Sequence, residues 1–289
     1  MTAPLMTSQL RFAPALGEWV AQHLAQGQAP SALVDAMRER QVAPAAAKAI
    51  VDAFVQARER GLPFPVDTVA VDTVAPAARL AEGPVVETHD RRIRVAMRTD
   101  APLLAVLQDV LDAAECEALI ALARPRLKPS TLVDPMSGRD VASGLRSSLG
   151  MFFRPAETPL IARLDRRLAE LMGLPVSHGE GLQLLHYPVG AGSAPHFDFL
   201  QPSNDANRAS IARSGQRIST LVCYLNDVAG GGETDFPQRS WQVTPQCGNA
   251  VYFEYDGLDE RSLHASRPVL AGEKWVATKW MRERPFVSL

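Results

Sequence analysis

The chain has 289 residues, a formal net charge of −2 and 46% hydrophobic residues, which is enough to fill the core of one large or two modest domains. With no excess of Lys and Arg for phosphates, the composition argues against a general nucleic-acid binder. No apolar run approaches the ~20 residues of a membrane helix, and Met1 to Phe12 lacks a basic-then-apolar secretory pattern, so neither a membrane nor a secreted role is expected. Cys116, Cys223 and Cys247 are too few and too scattered for a disulfide framework and have no CxxC spacing for zinc; a cytoplasmic protein with reduced thiols is expected.

Residues 15–61 carry three helical stripes. Leu16, Trp19, Val20 and Leu24 form the first, and Pro30 opens a second with Leu33, Val34 and Met37. Pro44 opens a third with Ala47, Ile50, Val51, Phe54 and Val55, and Gly61 fits its C-terminal cap. Residues 1–61 are thus expected to form a small all-α module. It packs on the main domain or supports a homodimer in one reading, and recruits substrate in another. Over residues 62–90, Val66-Asp67-Thr68-Val69-Ala70 repeats directly as Val71-Asp72-Thr73-Val74-Ala75 among Pro63, Pro65, Pro76 and Pro84, which predicts a linker with room for a short strand.

From Arg91 the texture changes, and one domain is expected over 91–286. Arg92–Met97 and Leu103–Leu107 read as strands. Asp112-Ala113-Ala114-Glu115 predicts an acidic cap ahead of a helix with Cys116, Leu119, Ile120 and Leu122. Residues 127–145, with Pro129, Pro135, Gly138 and Gly144, read as a loop or irregular hairpin. Ser148–Phe153 suits a strand, and Leu160, Ile161, Leu164, Leu168 and Leu171 suit a helix over Thr158–Met172 that ends at Gly173. Beyond it, short strands at Leu182–Tyr187, Ile218–Leu225, Trp241–Val243, Ala250–Glu254 and Trp275–Met281 alternate with Gly/Asn/Pro turns. The expected class is α+β: a double-stranded β-helix, or jelly roll, at about 179–283 with flanking helices. The polar stretch 201–216 reads as a binding loop or as a plain connector.

The chemistry gathers at His196-Phe197-Asp198. On a strand of period two, His196 and Asp198 would share a face. With His264 they make two imidazoles and one carboxylate, the facial triad of non-haem Fe(II) oxygenases. Ten residues on, Lys274 shares a strand face with Val276, Thr278 and Trp280. A lysine pointing into a barrel is costly unless an anion meets it, and the far carboxylate of 2-oxoglutarate is such an anion. The other reading is a surface lysine at a strand edge.

Residues about 103–283 resemble the prolyl 4-hydroxylase family of Fe(II)/2-oxoglutarate dioxygenases, of the collagen, plant and bacterial type. The matching pieces run in family order. Val110-Leu111-Asp112-Ala113-Ala114-Glu115-Cys116 is followed by Leu145-Arg146-Ser147-Ser148-Leu149-Gly150-Met151-Phe152 and Tyr187-Pro188-Val189-Gly190. After His196-Phe197-Asp198 come Gln216-Arg217-Ile218-Ser219-Thr220-Leu221, Tyr224-Leu225-Asn226-Asp227-Val228 and Gly231-Gly232-Glu233-Thr234-Asp235-Phe236-Pro237. Leu263-His264-Ala265 and Pro268-Val269 through Lys274 complete the match.

The resemblance implies that His196, Asp198 and His264 hold Fe(II). It implies that Lys274 and the phenol of Tyr187 take the far carboxylate of 2-oxoglutarate, and that Thr234, Thr278 and Trp280 line the co-substrate pocket. It places Arg217, Arg146 and Ser148 on the substrate side; ordinary surface charge is the other reading. O2 is the oxidant and ascorbate the reductant, with succinate and CO2 as co-products. Relatives that halogenate lack the carboxylate, so the presence of Asp198 implies hydroxylation. Many relatives carry an aromatic three residues before the first metal histidine, where this chain has Ser193. Two substrates are therefore carried forward, a peptidyl proline and a free amino acid or other small metabolite. A jelly roll that binds without turnover is the reading from a different class.

Overall fold

A computed structural model describes residues 5–40, 42, 44–74, 78–100, 103–129, 132–133, 140–141, 148–202, 204–255 and 260–288. It divides into two compact units, Met1–Ala77 and Ala78–Leu289.

The first unit begins with β1 (Leu5–Arg11), followed by α1 (Pro14–Ala25), α2 (Pro30–Glu39), α3 (Pro44–Glu59) and β2 (Thr68–Val74). Each helix starts at a proline, whose missing N–H is no loss in the first turn. Val20, Leu24, Leu33, Met37, Ile50, Val51 and Phe54 are buried along the expected stripes. The module is not all-α, however. β1 and β2 pair antiparallel from Leu5↔Val74 to Arg11↔Thr68, so part of the expected linker is a strand. The repeat has β-branched residues in alternation, which suits a pleated strand, and its partner lies some sixty residues away, beyond any local pattern.

The second unit opens with β3 (Val85–Glu87), β4 (Arg92–Asp100) and β5 (Leu103–Gln108), then α4 (Ala113–Ala123). Asp112 and Glu115 form a reciprocal capping box at the start of α4. Short strands β6 (Lys128–Pro129), β7 (Leu132–Val133) and β8 (Asp140–Val141) lead to β9 (Leu149–Phe152) and α5 (Pro159–Leu171), which is capped by Thr158. Next come β10 (Gln183–Tyr187), β11 (Ser193–His196), α6 (Asp205–Ser214) and β12 (Arg217–Tyr224). The chain continues through β13 (Gly230–Gly231), β14 (Thr234–Phe236), β15 (Trp241–Val243), β16 (Ala250–Glu254), β17 (His264–Ser266), β18 (Val269–Ala271) and β19 (Lys274–Arg282).

The large sheet has the order β3-β4-β5-β16-β12-β19-β10-β9-β6, and a smaller one has β11-β17-β14-β15. From β10 onward the chain passes back and forth between the two sheets, which is the winding of a jelly roll. Every residue of β19 is buried, because the large sheet is covered on both faces. On one face Trp275, Ala277 and Met281 pack with Leu119 of α4 and with Ile161, Leu164 and Leu168 of α5. On the other, Val276, Leu185, Val222 and Phe253 pack with Phe236 and Val243 of the small sheet.

The polar stretch 201–216 contains a helix rather than an extended loop. Asn204 caps α6 by accepting from Asn207 N, and Gly215 ends it at φ 73°. Its composition hides it, because α6 has almost no apolar stripe. It is held instead by hydrogen bonds: Arg282 Nη2 donates to Ser210 O and Oγ, and Arg284 Nη2 donates to the carbonyls of Ile211 and Ala212.

Candidate metal centre and co-substrate pocket

His196 ends β11 and His264 begins β17, and the two lie directly opposite across the small sheet. Their rings sit 4.4 Å apart. Asp198 is not on the strand face that period two predicts. It lies in a bend two residues beyond the end of β11, and this bend swings the carboxylate between the imidazoles. Asp198 Oδ1 is 3.7 Å from His196 Nε2 and Oδ2 is 3.7 Å from His264 Nε2. One ligand atom from each of the three residues falls within 4.8 Å of the others, and among the described residues this is the one such cluster.

The imidazoles are oriented for metal binding. His196 Nδ1 lies 2.9 Å from Ala194 O and His264 Nδ1 lies 3.0 Å from Ser262 O. A carbonyl accepts only, so each Nδ1 carries its proton and each Nε2 turns a lone pair to the centre. Burial raises the pKa of Asp198, but neighbouring His264, His196 and Arg217 outweigh it and hold the carboxyl well below the usual range. Thr220 Oγ1 donates to Asp198 Oδ2 at 2.8 Å, and Arg217 Nη1 donates to the Asp198 carbonyl at 3.2 Å. Trp280 Nε1 is near enough to favour the ionised carboxylate but makes no hydrogen bond of normal geometry. Two nitrogen donors and one carboxylate, oriented from behind, fit a borderline cation such as Fe(II).

The pocket beside this cluster lies between the two sheets. Lys274, Val276, Thr278 and Trp280 of β19 line it, as the alternation predicts, and Thr234 lines it from β14. Lys274 is 2% exposed and directly opposite Tyr187 on β10. Its Nζ donates to Ser266 Oγ at 2.8 Å and lies 5.4 Å from the Tyr187 ring. Among the described residues no carboxylate pairs with it. Burial lowers its pKa from 10.5 to about 7, with only partial compensation from Glu233. Gln183 Oε1 also faces the pocket, buried and without a hydrogen-bond partner. A buried lysine without a carboxylate partner and, farther along the same pocket, an unsatisfied polar atom fit an anionic, hydrogen-bonding co-substrate.

Thr234 Oγ1 accepts from the buried Tyr224 hydroxyl at 2.8 Å. Ser193 lines the pocket and its Oγ accepts from Ser266 N at 2.9 Å, so it braces the strand that carries His264. Arg217 differs from expectation. Its Nε and Nη2 clamp Glu180 at 2.7 and 2.8 Å and its guanidinium covers the Trp280 ring at 4.0 Å, so the fork is committed behind Asp198 and does not line the pocket. A planar fork matches a carboxylate in two bonds, and Glu180 supplies that carboxylate from the segment just before β10. Ser148 is buried and also does not line the pocket, and Arg146 lies outside the described residues.

Sequence reasoning missed Glu180, Thr220, Tyr255 and Ser266. Ser266 stands two residues after His264, so period two could have found it. Glu180 and Tyr255 carry no local signal, because their partners are more than thirty residues away.

Residues 182–282 match the family model described as the 2OG-Fe(II) oxygenase superfamily, whose chemistry uses Fe(II), 2-oxoglutarate and O2. The chain is 39% identical over 203 residues to "Prolyl 4-hydroxylase 1" of Arabidopsis thaliana, covering 64% of this chain and 70% of that protein. It is 38% identical over 190 residues to "Prolyl 4-hydroxylase subunit alpha-1" of Rattus norvegicus, covering 64% of this chain and 35% of that one. Among solved structures, the viral collagen prolyl hydroxylase of Paramecium bursaria Chlorella virus-1 is 27% identical with a TM-score of 0.48, covering 62% of this chain and 95% of that one. By sequence, this chain belongs to the prolyl 4-hydroxylase family of 2OG-Fe(II) oxygenases and is a 2-oxoglutarate-dependent dioxygenase.

Proposed function

We propose that the chain hydroxylates proline in a peptide, with His196, Asp198 and His264 holding Fe(II) and Lys274 and Tyr187 taking the far carboxylate of 2-oxoglutarate. The observation that carries this is the pairing of a His/Asp/His cluster with a buried lysine lacking a counter-ion, in one pocket between two sheets. When bound, iron with 2-oxoglutarate and O2 supplies the oxidant that turns a C–H into a C–OH, releasing succinate and CO2. The protein's own work is positional. Ala194 and Ser262 carbonyls fix the imidazoles, Thr220 and Arg217 fix Asp198, and Val276, Thr278 and Trp280 wall the pocket beside the reacting centre. Ascorbate serves as the reductant that returns idle enzyme to Fe(II).

The relatives named above are prolyl 4-hydroxylases, which supports proline as the target. The test is incubation with Fe(II), 2-oxoglutarate, ascorbate and proline-containing peptides beside free proline, read by mass spectrometry. One oxygen added to peptidyl proline supports the reading. Oxygen on free proline alone, with peptides unchanged, moves the target to a small metabolite, the substrate that Ser193 in place of an aromatic would suit.

A cytoplasmic location is part of the proposal and rests on three free cysteines. Labelling thiols in freshly lysed cells checks it, and a disulfide-linked form there would count against it. Dimerisation through the N-terminal helices has no observation behind it and forms no part of this reading.

A further inference from the structure

Asp198 leans on a chain of two hydroxyls whose direction can be worked out. Thr220, fully buried on β12, places Oγ1 2.8 Å from Asp198 Oδ2. The same Oγ1 lies 3.0 Å from the hydroxyl of Tyr255. An ionised carboxylate only accepts, so the single proton of Thr220 goes to Asp198. Thr220 can then only accept from Tyr255, and the phenol must be the donor. Burial and the nearby Asp198 charge push the phenol pKa up, so it keeps the proton this role requires.

Tyr255 is held where it can do this. It follows the last residue of β16, its N–H donates to Ile218 O two residues from Thr220, and its ring stands 6.0 Å from Phe199 and 6.1 Å from Phe253. It is 4% exposed, so water does not compete for Thr220. Hydrogen bonds in series polarise one another, and a dry site strengthens them.

We propose that Tyr255 is a positioning residue for the metal site: through Thr220 it ties down Asp198 Oδ2 and confines the carboxylate to ligation through one oxygen. The consequence is coordination number. A 2-His-1-carboxylate set leaves three positions only if the carboxylate uses one oxygen. Two positions are needed for chelation by 2-oxoglutarate and one for O2. A carboxylate that swung round to ligate through both oxygens would take one of them. The inference rests on the metal reading of this site given above.

The test uses the full chain under anaerobic conditions, with wild type, Tyr255→Phe, Thr220→Val and Thr220→Ser. The first readout is the visible charge-transfer band that appears when 2-oxoglutarate chelates Fe(II), recorded at saturating metal. The second is Mn(II) affinity. Tyr255→Phe and Thr220→Val are expected to lose most of the band and to bind Mn(II) roughly tenfold more weakly, the lower end for outer-shell partners. Thr220→Ser, which keeps the hydroxyl, is expected to restore the band. A full band in Tyr255→Phe at saturating metal overturns the proposal, whatever its melting temperature or affinity. If Tyr255→Phe does not fold, the comparison of Thr220→Val with Thr220→Ser decides in the same way. Absence of the band from wild type would instead sink the metal reading, so the two failures are distinguishable.

Discussion

Binding of 2-oxoglutarate should weaken with rising pH above neutrality, and Lys274 sets the size of the effect. In the free protein burial brings its pKa from 10.5 to about 7. A carboxylate against Nζ favours the charged form and raises that value again. Below pH 7 the lysine is charged in both free and bound protein, so affinity is flat. Above pH 7 the free protein must take up a proton to bind, and affinity falls up to tenfold per unit, about 1.4 kcal/mol. Between pH 7 and 9 the charged fraction falls from about one half to about one hundredth, so the loss should reach roughly 50-fold, about 2.3 kcal/mol. 2-Oxoglutarate is already a dianion there and contributes no proton. The same shift acts on folding with the opposite sense. From pH 7 to about 10 the unfolded chain holds a proton that the folded free protein does not, so this group makes the free protein more stable as pH rises. Isothermal titration at pH 6.5, 8 and 9, in buffers of different ionisation enthalpy, reads both Kd and proton uptake. Uptake approaching one proton at pH 8.5, lost in Lys274→Ala, is expected. A Kd independent of pH from 7 to 9 with no uptake would refute the assignment of Lys274 as the anion partner.

Other consequences can be checked separately. His196→Ala should retain its circular dichroism but neither hold Fe(II) through dialysis nor release succinate; metal retention equal to wild type would contradict the ligand assignment. Glu180→Gln leaves Arg217 and Arg282 on β19 without their shared carboxylate and should cost about 3 kcal/mol in urea denaturation, since breaking one member of a buried ion cluster strands the rest. A cost below about 1 kcal/mol would mean the cluster behaves as a solvent-screened pair. Gly248→Ala should destabilise by at least about 2 kcal/mol, because the position has φ 79° and a Cβ would stand 2.3 Å from Leu111 O; an unchanged melting curve would show that the turn can open.

How much of this was legible depended on how local the cause was. The period-two face of Lys274, Val276, Thr278 and Trp280 is written in β19 itself, and the structure places all four on the pocket. The capping box of Asp112 and Glu115 is equally local. The metal cluster shows the limit of such reasoning. The residues expected to gather do gather, but Asp198 arrives through a bend after β11 and not along a shared strand face. Helix α6 was hidden because tertiary hydrogen bonds from Arg282 and Arg284, not an apolar stripe, hold it. The pairing of β1 with β2, the Glu180 clamp on Arg217 and the Tyr255–Thr220 contact join residues far apart in sequence. No window of residue types could display them. Ser193 was visible as a departure from the family pattern, but its bond to Ser266 was not.

The most direct test of the central claim is a reaction under labelled dioxygen with a proline-containing peptide, counting both products. The account predicts one succinate for each hydroxyproline, with one labelled oxygen in each, and neither product from His196→Ala. Succinate formed with no oxygen entering any peptide or amino acid offered would leave the pocket intact but contradict proline hydroxylation. No succinate from iron-loaded wild type would contradict the reading of the His196, Asp198, His264 and Lys274 site altogether.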